Sequence, residues 1–142
     1  TVANHKVYDG LYSDEQGKAF MHGPTFMGNA LACSAALKSI EIFERDNYMD
    51  KVRRIEKITR REIGGFRHPC IKEVRIMGAC VCIEVYDENV LNGFQEFAYE
   101  RGVFSRPFLK FMYAMVPYII TEAQLIQVLN TMKSWFLSEA MS

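Results

Sequence analysis

The stretch Ile71-Lys72-Glu73-Val74-Arg75-Ile76-Met77-Gly78-Ala79-Cys80-Val81-Cys82-Ile83-Glu84-Val85-Tyr86 decides the fold. On either side of Gly78, β-branched residues alternate with polar ones, the period of a half-buried strand. Ile71–Met77 and Ala79–Tyr86 therefore predict a strand pair, with a bend or bulge at Gly78 as the alternative.

Downstream, Asp87 to Arg101 predicts a helix capped by Asp87 or Asn89, with Phe94, Phe97 and Ala98 facing inward and Gly102 ending it. Val103–Ser105 and Phe111–Val116 predict two short strands joined by Arg106-Pro107-Phe108-Leu109-Lys110. Thr121-Glu122-Ala123-Gln124 opens a last helix with a capping signal. Its stripe of Leu125, Val128, Leu129, Met132, Trp135 and Phe136 is core, not a cofactor box. The order from Ile71 is then β-β-α-β-β-α, an α+β layer in which a largely antiparallel sheet carries helices on one face.

Upstream, Tyr48 to Ile63 predicts a helix capped by Asp46 or Asn47 and stopped by Gly64-Gly65. Apolar positions recur there every three or four residues. The basic residues Arg53, Arg54, Lys57, Arg60 and Arg61 are interrupted by Glu56 and Glu62, which marks a solvated face. A preceding helix, from about Gly28 to Phe43, is dominated by small and apolar residues in its first half. Val2, Val7, Tyr8, Leu11 and Tyr12 are spaced like one side of a short helix.

The chain has 142 residues, 49% of them hydrophobic, and a formal net charge of zero. That supports one compact domain with a core and excludes disorder. It also argues against a general nucleic-acid binder. No apolar run is long enough to span a bilayer, and no signal peptide is visible. The first residue is Thr1, so a processed chain or a piece of a longer one is expected. Cys80 and Cys82 would share one face of a strand. With His68 and Cys70 they match no standard zinc spacing, so no metal is expected, and buried reduced thiols of a cytoplasmic protein are the reading.

The segment most suggestive of a ligand is Phe20-Met21-His22-Gly23-Pro24-Thr25-Phe26-Met27-Gly28-Asn29, which runs directly into the alanine-rich helix. A helix start offers unpaired N–H groups and the positive end of its dipole to a phosphate. Gly23 and Gly28 let backbone approach a ligand, and Thr25 offers a hydroxyl. The alternative is a turn that caps a helix. Arg106 is the second candidate: an Arg-Pro pair between short strands holds a guanidinium where a planar anion can dock through two parallel hydrogen bonds. The alternative is an arginine paired with a surface carboxylate.

These two motifs carry a resemblance. His22 to Cys33 resembles the late signature of the class III, fold-type I aminotransferases, which use pyridoxal 5'-phosphate (PLP). Arg101-Gly102-Val103-Phe104-Ser105-Arg106-Pro107-Phe108, continuing through Tyr113 to Pro117-Tyr118-Ile119-Ile120, matches a second signature in the right order. The Gly-Pro-Thr-Phe-Met-Gly-Asn wording is similar to the branch that acts in biotin biosynthesis. The resemblance implies the C-terminal part of such an enzyme. Residues 1–45 would be the end of the large PLP-binding domain and the start of a connecting helix, and residues 46–142 a small α+β domain.

It further implies an amino transfer from S-adenosylmethionine to 8-amino-7-oxononanoate. Gly23 would face the substrate, and Pro24 and Thr25 would touch the PLP phosphate held mainly by the other subunit of a homodimer. Arg106 would bind the substrate carboxylate, and Tyr113 would line the pocket unless it is a core tyrosine. His22 is assigned to loop structure, since proton transfer in the family belongs to the Schiff-base lysine. That lysine lies upstream of this chain in the family; Lys6 and Lys18 are too close to the loop and lack its glycine-rich context. The chain alone is therefore expected to be inactive and to bind PLP poorly. Leu109, Val116 and Ala30 depart from the family's common glycine and prolines.

Two other functions stay open at this stage. One is another class III enzyme of the ω-amino acid or ornithine type. The other is a stand-alone small-molecule-binding regulatory module built on the β-β-α-β-β-α order.

Overall fold

The computed structural model describes residues 3–18, 23 and 25–138. They form two compact units, Thr1–Glu41 and Ile42–Ser142.

In the first unit a short helix α1 (His5–Leu11) starts at Asn4, whose side chain accepts a hydrogen bond from the Val7 N–H. The start of α2 (Ala30–Arg45) is capped by Asn29, whose Oδ1 accepts from the Ala32 N–H at 3.0 Å. None of the residues of α2 is buried, and Leu31 and Leu37 are exposed. A small, apolar first half predicts burial there; among the described residues nothing covers it.

The second unit holds the core. Helix α3 (Tyr48–Ile63) has the predicted bounds and buries Ile55, Ile58, Thr59 and Ile63. Asn47 occupies its N-cap with φ 48° but gives no side-chain cap bond; its amide bonds Asp50 instead. The basic face is exposed and laced with ion pairs, Arg53 to Asp50 at 2.7 Å and Arg60 to Glu56 at 2.6 Å, as a solvated face should be.

Strands β1 (Ile71–Met77) and β2 (Cys80–Val85) pair antiparallel in the register Val74 to Ile83 and Ile76 to Val81, so the hairpin reading holds. The one irregularity lies between Ile71 and Glu73, not at Gly78. Gly78 has φ 56° at the first central position of a two-residue turn, a conformation that favours glycine. Its N–H donates to Glu56 Oε2 at 2.9 Å, which ties the hairpin to α3.

Two expectations are corrected here. The long helix from Asp87 to Arg101 is broken into a 3-10 turn, Glu88–Leu91, and α4 (Phe94–Tyr99). Asn92-Gly93 interrupts it, with Gly93 at φ 85°. The second correction concerns Val103–Ser105, which is not a strand. The sheet has three strands, β1-β2-β3, with β3 (Phe111–Met115) as its last member. The Lys110 carbonyl accepts from the Val85 N–H, so by alternation the Tyr113 carbonyl points to the free edge of β3. That carbonyl accepts from the Ser105 hydroxyl at 3.1 Å. Beyond the single backbone bridge between Phe108 and Phe111 at the start of β3, this edge is bonded by a side chain and not by a ladder, and Pro107 has no N–H with which to extend one.

Helix α5 (Glu122–Phe136) begins with the complete capping box predicted at Thr121 and Gln124. Its Trp135 packs edge-on against Phe94 and Phe97 and donates Nε1–H to the Val90 carbonyl at 2.9 Å. Val81, Ile83, Val85 and Met112 face these helices and are buried. The opposite face of the sheet is open, with Met77 and Met115 exposed and Tyr113 partly so. An antiparallel sheet with helices on one face is therefore the architecture.

Candidate functional site

Arg106 and Tyr113 line one cleft. Its volume is about 600 Å³, and its apolar walls include Val103, Phe104, Met115 and Pro117. The sequence builds it in two steps. First, Val103 and Ser105 are buried while Phe104 and Arg106 are exposed, so this segment alternates like a strand and presents Phe104 and Arg106 on one side. Second, the Ser105 bond to the Tyr113 carbonyl pins the segment along β3.

After Arg106, Pro107 limits the backbone, and a tight turn closes through reciprocal 2.9 Å bonds between the backbones of Phe108 and Phe111. Leu109 sits in that turn at φ 49°, a region that costs an L-residue about 1–2 kcal/mol. Where glycine would be relaxed, this chain carries leucine with its side chain largely exposed.

Arg106 has no ion pair and no hydrogen bond among the described residues, so the surface-pair alternative is not realised. Arg106 also borders a smaller cleft of about 390 Å³, where Glu88 and Glu96 would repel a carboxylate. The larger cleft has no acidic residue in its lining. Tyr113 alternates with the buried Met112 on β3, so it belongs to the open face and not to the core.

On the same open face, Tyr113 pairs in register with Cys82, and Cys82 with Arg75. Arg75 is engaged: one of its nitrogens lies 3.1 Å from Glu84, and the guanidinium stacks over Phe111. Glu84 also takes a 2.6 Å bond from Lys72, which holds its carboxyl below the usual range. Burial pushes the Cys82 thiol up, against the opposing pull of Arg75. Burial is the expectation for the cysteines; in this chain Cys80 and Cys82, on the open face of the sheet, and Cys70 are half-buried, and Cys33 on α2 is exposed.

In the first unit, Thr25 is exposed in a turn that immediately precedes α2. A Cβ placed on Gly23 or Gly28 would meet no atom within 4 Å, so the backbone there is open to approach. Of the first N–H groups of α2, those of Ala32 and Cys33 are taken by Asn29, which leaves those of Ala30 and Leu31 for a ligand. This donor set, hydroxyl plus backbone N–H, fits a phosphate. His22 and Pro24 lie outside the described residues. The sequence reading missed Phe104 and Ser105. The signal that marks them is the alternation of Val103 to Arg106, visible only once β3 gives the segment an edge to run along.

The sequence profile of the family "Aminotransferase class-III" matches residues 1–136. The chain is 39% identical over 137 residues to the adenosylmethionine-8-amino-7-oxononanoate aminotransferase of Saccharomyces cerevisiae, covering 89% of this chain and 28% of that protein. Among solved structures, the adenosylmethionine-8-amino-7-oxononanoate aminotransferase of Methanocaldococcus jannaschii superposes with a TM-score of 0.68 at 28% identity, over 92% of this chain and 33% of the other. An ornithine aminotransferase of Toxoplasma gondii, described with partial occupancy of PLP at its active site, gives 0.65 at 28% identity, over 87% and 30%. The chain spans between 28% and 31% of the length of the first three curated relatives.

Proposed function

Because the chain belongs to the class-III aminotransferase family, we propose that it is the C-terminal part of a PLP-dependent aminotransferase. The reaction is transfer of an amino group from S-adenosylmethionine to 8-amino-7-oxononanoate, giving 7,8-diaminononanoate. The observation that carries this reading is the pairing of Arg106, a guanidinium with no partner among the described residues, with Tyr113 on a cleft whose walls are apolar and whose described lining holds no acid. Such a cleft suits a carboxylate on a hydrocarbon stem, and 8-amino-7-oxononanoate has that form. The names carried by the relatives support the same substrates.

Within this reading each part has a task. Arg106 binds and orients the substrate carboxylate through paired N–H donors. Tyr113 adds a hydroxyl donor at the same cleft. Thr25 and Pro24 touch the PLP phosphate of the second subunit of a homodimer, and Gly23 brings backbone to the substrate. PLP, when bound, supplies the electron sink that lets an amino group pass between two substrates. Residues 1–45 close the large domain, and residues 46–142 form the small domain that shuts over the substrate. The enzyme is cytoplasmic. No helix among the described residues is long and apolar enough to cross a membrane.

The chain alone lacks a lysine in position to hold PLP, so by itself it is inactive. Purified and titrated with PLP, it is expected to develop no stoichiometric cofactor absorption band. Such a band would refute this part. Fused behind the upstream portion of the Saccharomyces relative, it is expected to restore amino transfer; a folded, cofactor-bearing fusion that transfers nothing would refute the reading. The ornithine-type alternative has structural support of similar quality. It is disfavoured by the sequence relatives, whose names agree on the biotin-pathway substrates.

A further inference from the structure

Phe104 takes no part in holding the carboxylate head or the fold of β3. It is 82% exposed, although both its neighbours, Val103 and Ser105, are buried and suffice to hold the segment against β3. A phenyl ring left in water gives the fold little. It nevertheless lines the 600 Å³ cleft, on the same side of the segment as Arg106. The other walls include Val103, Met115, Pro117, Ile120 and Val128, and the Ser105 hydroxyl is already spent on the Tyr113 carbonyl. The cleft thus offers one cation, one phenol and an otherwise apolar surface. Its charge and polarity select a ligand with a single anionic head and an unbranched apolar stem.

We infer that Phe104 is a specificity-determining residue that reads the length of that stem. The inference rests on the assignment of Arg106 as the carboxylate clamp. With the head fixed at Arg106, a stem lying along the cleft is covered by the Phe104 ring over its methylenes, whereas the head is not. Apolar burial is additive along a chain, at about fourfold in affinity for each fully covered methylene. Loss of Phe104 must therefore change the dependence on chain length, and loss of Arg106 must change the intercept.

The test is an NMR titration of the ¹⁵N-labelled chain at neutral pH with straight-chain monocarboxylates from acetate to nonanoate, with nonanamide as the uncharged-head control and nonylamine as the cation. The wild type is expected to gain about fourfold in affinity per methylene over the middle of the series. In Phe104→Ala the gain per methylene falls below about twofold while acetate binds as before, and Phe104→Leu lies between. Arg106→Met weakens every acid by one common factor and leaves the slope intact.

A Phe104→Ala slope equal to the wild-type slope overturns the inference and leaves the Arg106 assignment standing. A uniform loss across the series does the same. Wild-type affinity that is equal for the acids and either control, or unchanged by Arg106→Met, overturns the Arg106 assignment and the inference with it. Because the ring is exposed, the amide spectrum of Phe104→Ala should overlay that of the wild type outside the cleft. A collapsed spectrum would mean that the ring supports the fold, which also overturns the inference.

Discussion

Ser105→Ala tests how the cleft is held together. The Ser105 hydroxyl is buried and donates to the Tyr113 carbonyl at 3.1 Å. Alanine leaves that carbonyl, on the free edge of β3, without its partner. The cost of an unmet partner at a partly wet edge is about 1–2 kcal/mol. For a unit the size of Ile42–Ser142, about 1 kcal/mol moves Tm by ~4–8 °C. Thermal unfolding followed by circular dichroism should therefore show a fall of about 4–16 °C. Ser105→Thr keeps the hydroxyl and should recover most of it. Since the bond joins the neighbour of Arg106 to the backbone of Tyr113, amide order parameters at Phe104 and Arg106 should fall as well. A Tm within about 2 °C of the wild type would refute the reasoning. A threonine variant no better than alanine would do so too.

Gly78→Ala puts a Cβ 2.9 Å from Val52 Cγ1 on a residue at φ 56°, so a loss of about 1–3 kcal/mol is expected by urea titration, whereas Ala79→Gly should be mild. Trp135→Ala empties the contact with Phe94 and Phe97 and orphans the Val90 carbonyl; about 3–5 kcal/mol is expected, seen as loss of the cooperative transition near room temperature. Glu84 is held below its usual pKa, chiefly by its bond from Lys72. Its contribution is therefore complete above the ordinary glutamate range and lost as pH falls through the lowered value. Glu84→Gln should flatten the acid limb of Tm against pH without abolishing it, because Glu56 is lowered as well, first by Arg60; an unchanged limb would count against the cluster.

Much of this was legible in the sequence where local chemistry and pattern agree. Tyr48–Ile63 has a strong apolar period and glycines at its end. Ile71–Val85 alternates around a glycine that only one kind of turn accommodates easily, and Thr121–Gln124 is a capping box in so many words. The failures share a cause: each depends on a partner distant in sequence. Val103–Ser105 alternates like a strand, but whether it becomes one is decided at the far side of β3, where a serine hydroxyl takes the carbonyl. The helix from Asp87 breaks at Asn92-Gly93, where Gly93 stands at φ 85° against Trp135, a Cβ there lying 3.7 Å from the indole. The exposure of α2 and of the cysteines could not be read from this chain alone, since their apolar character only says that something should cover them.

For the candidate site, Arg106 and Tyr113 were legible as residue types and offset, and the cleft that unites them was not. Phe104 reads in sequence as one more hydrophobic strand residue. Only the burial of both its neighbours reveals that it points away from the core.

The most direct test of the central claim is amino transfer from S-adenosylmethionine to 8-amino-7-oxononanoate by the fusion of this chain to the upstream portion of the Saccharomyces relative, with and without Arg106→Met. A lost bidentate, charge-assisted pair is worth about 2–4 kcal/mol, so kcat/KM for the acceptor should fall ~30–1,000-fold while the kinetics of the donor half-reaction hold steady. An Arg106→Met fusion that folds, binds PLP and treats the acceptor as the wild-type fusion does would contradict the account.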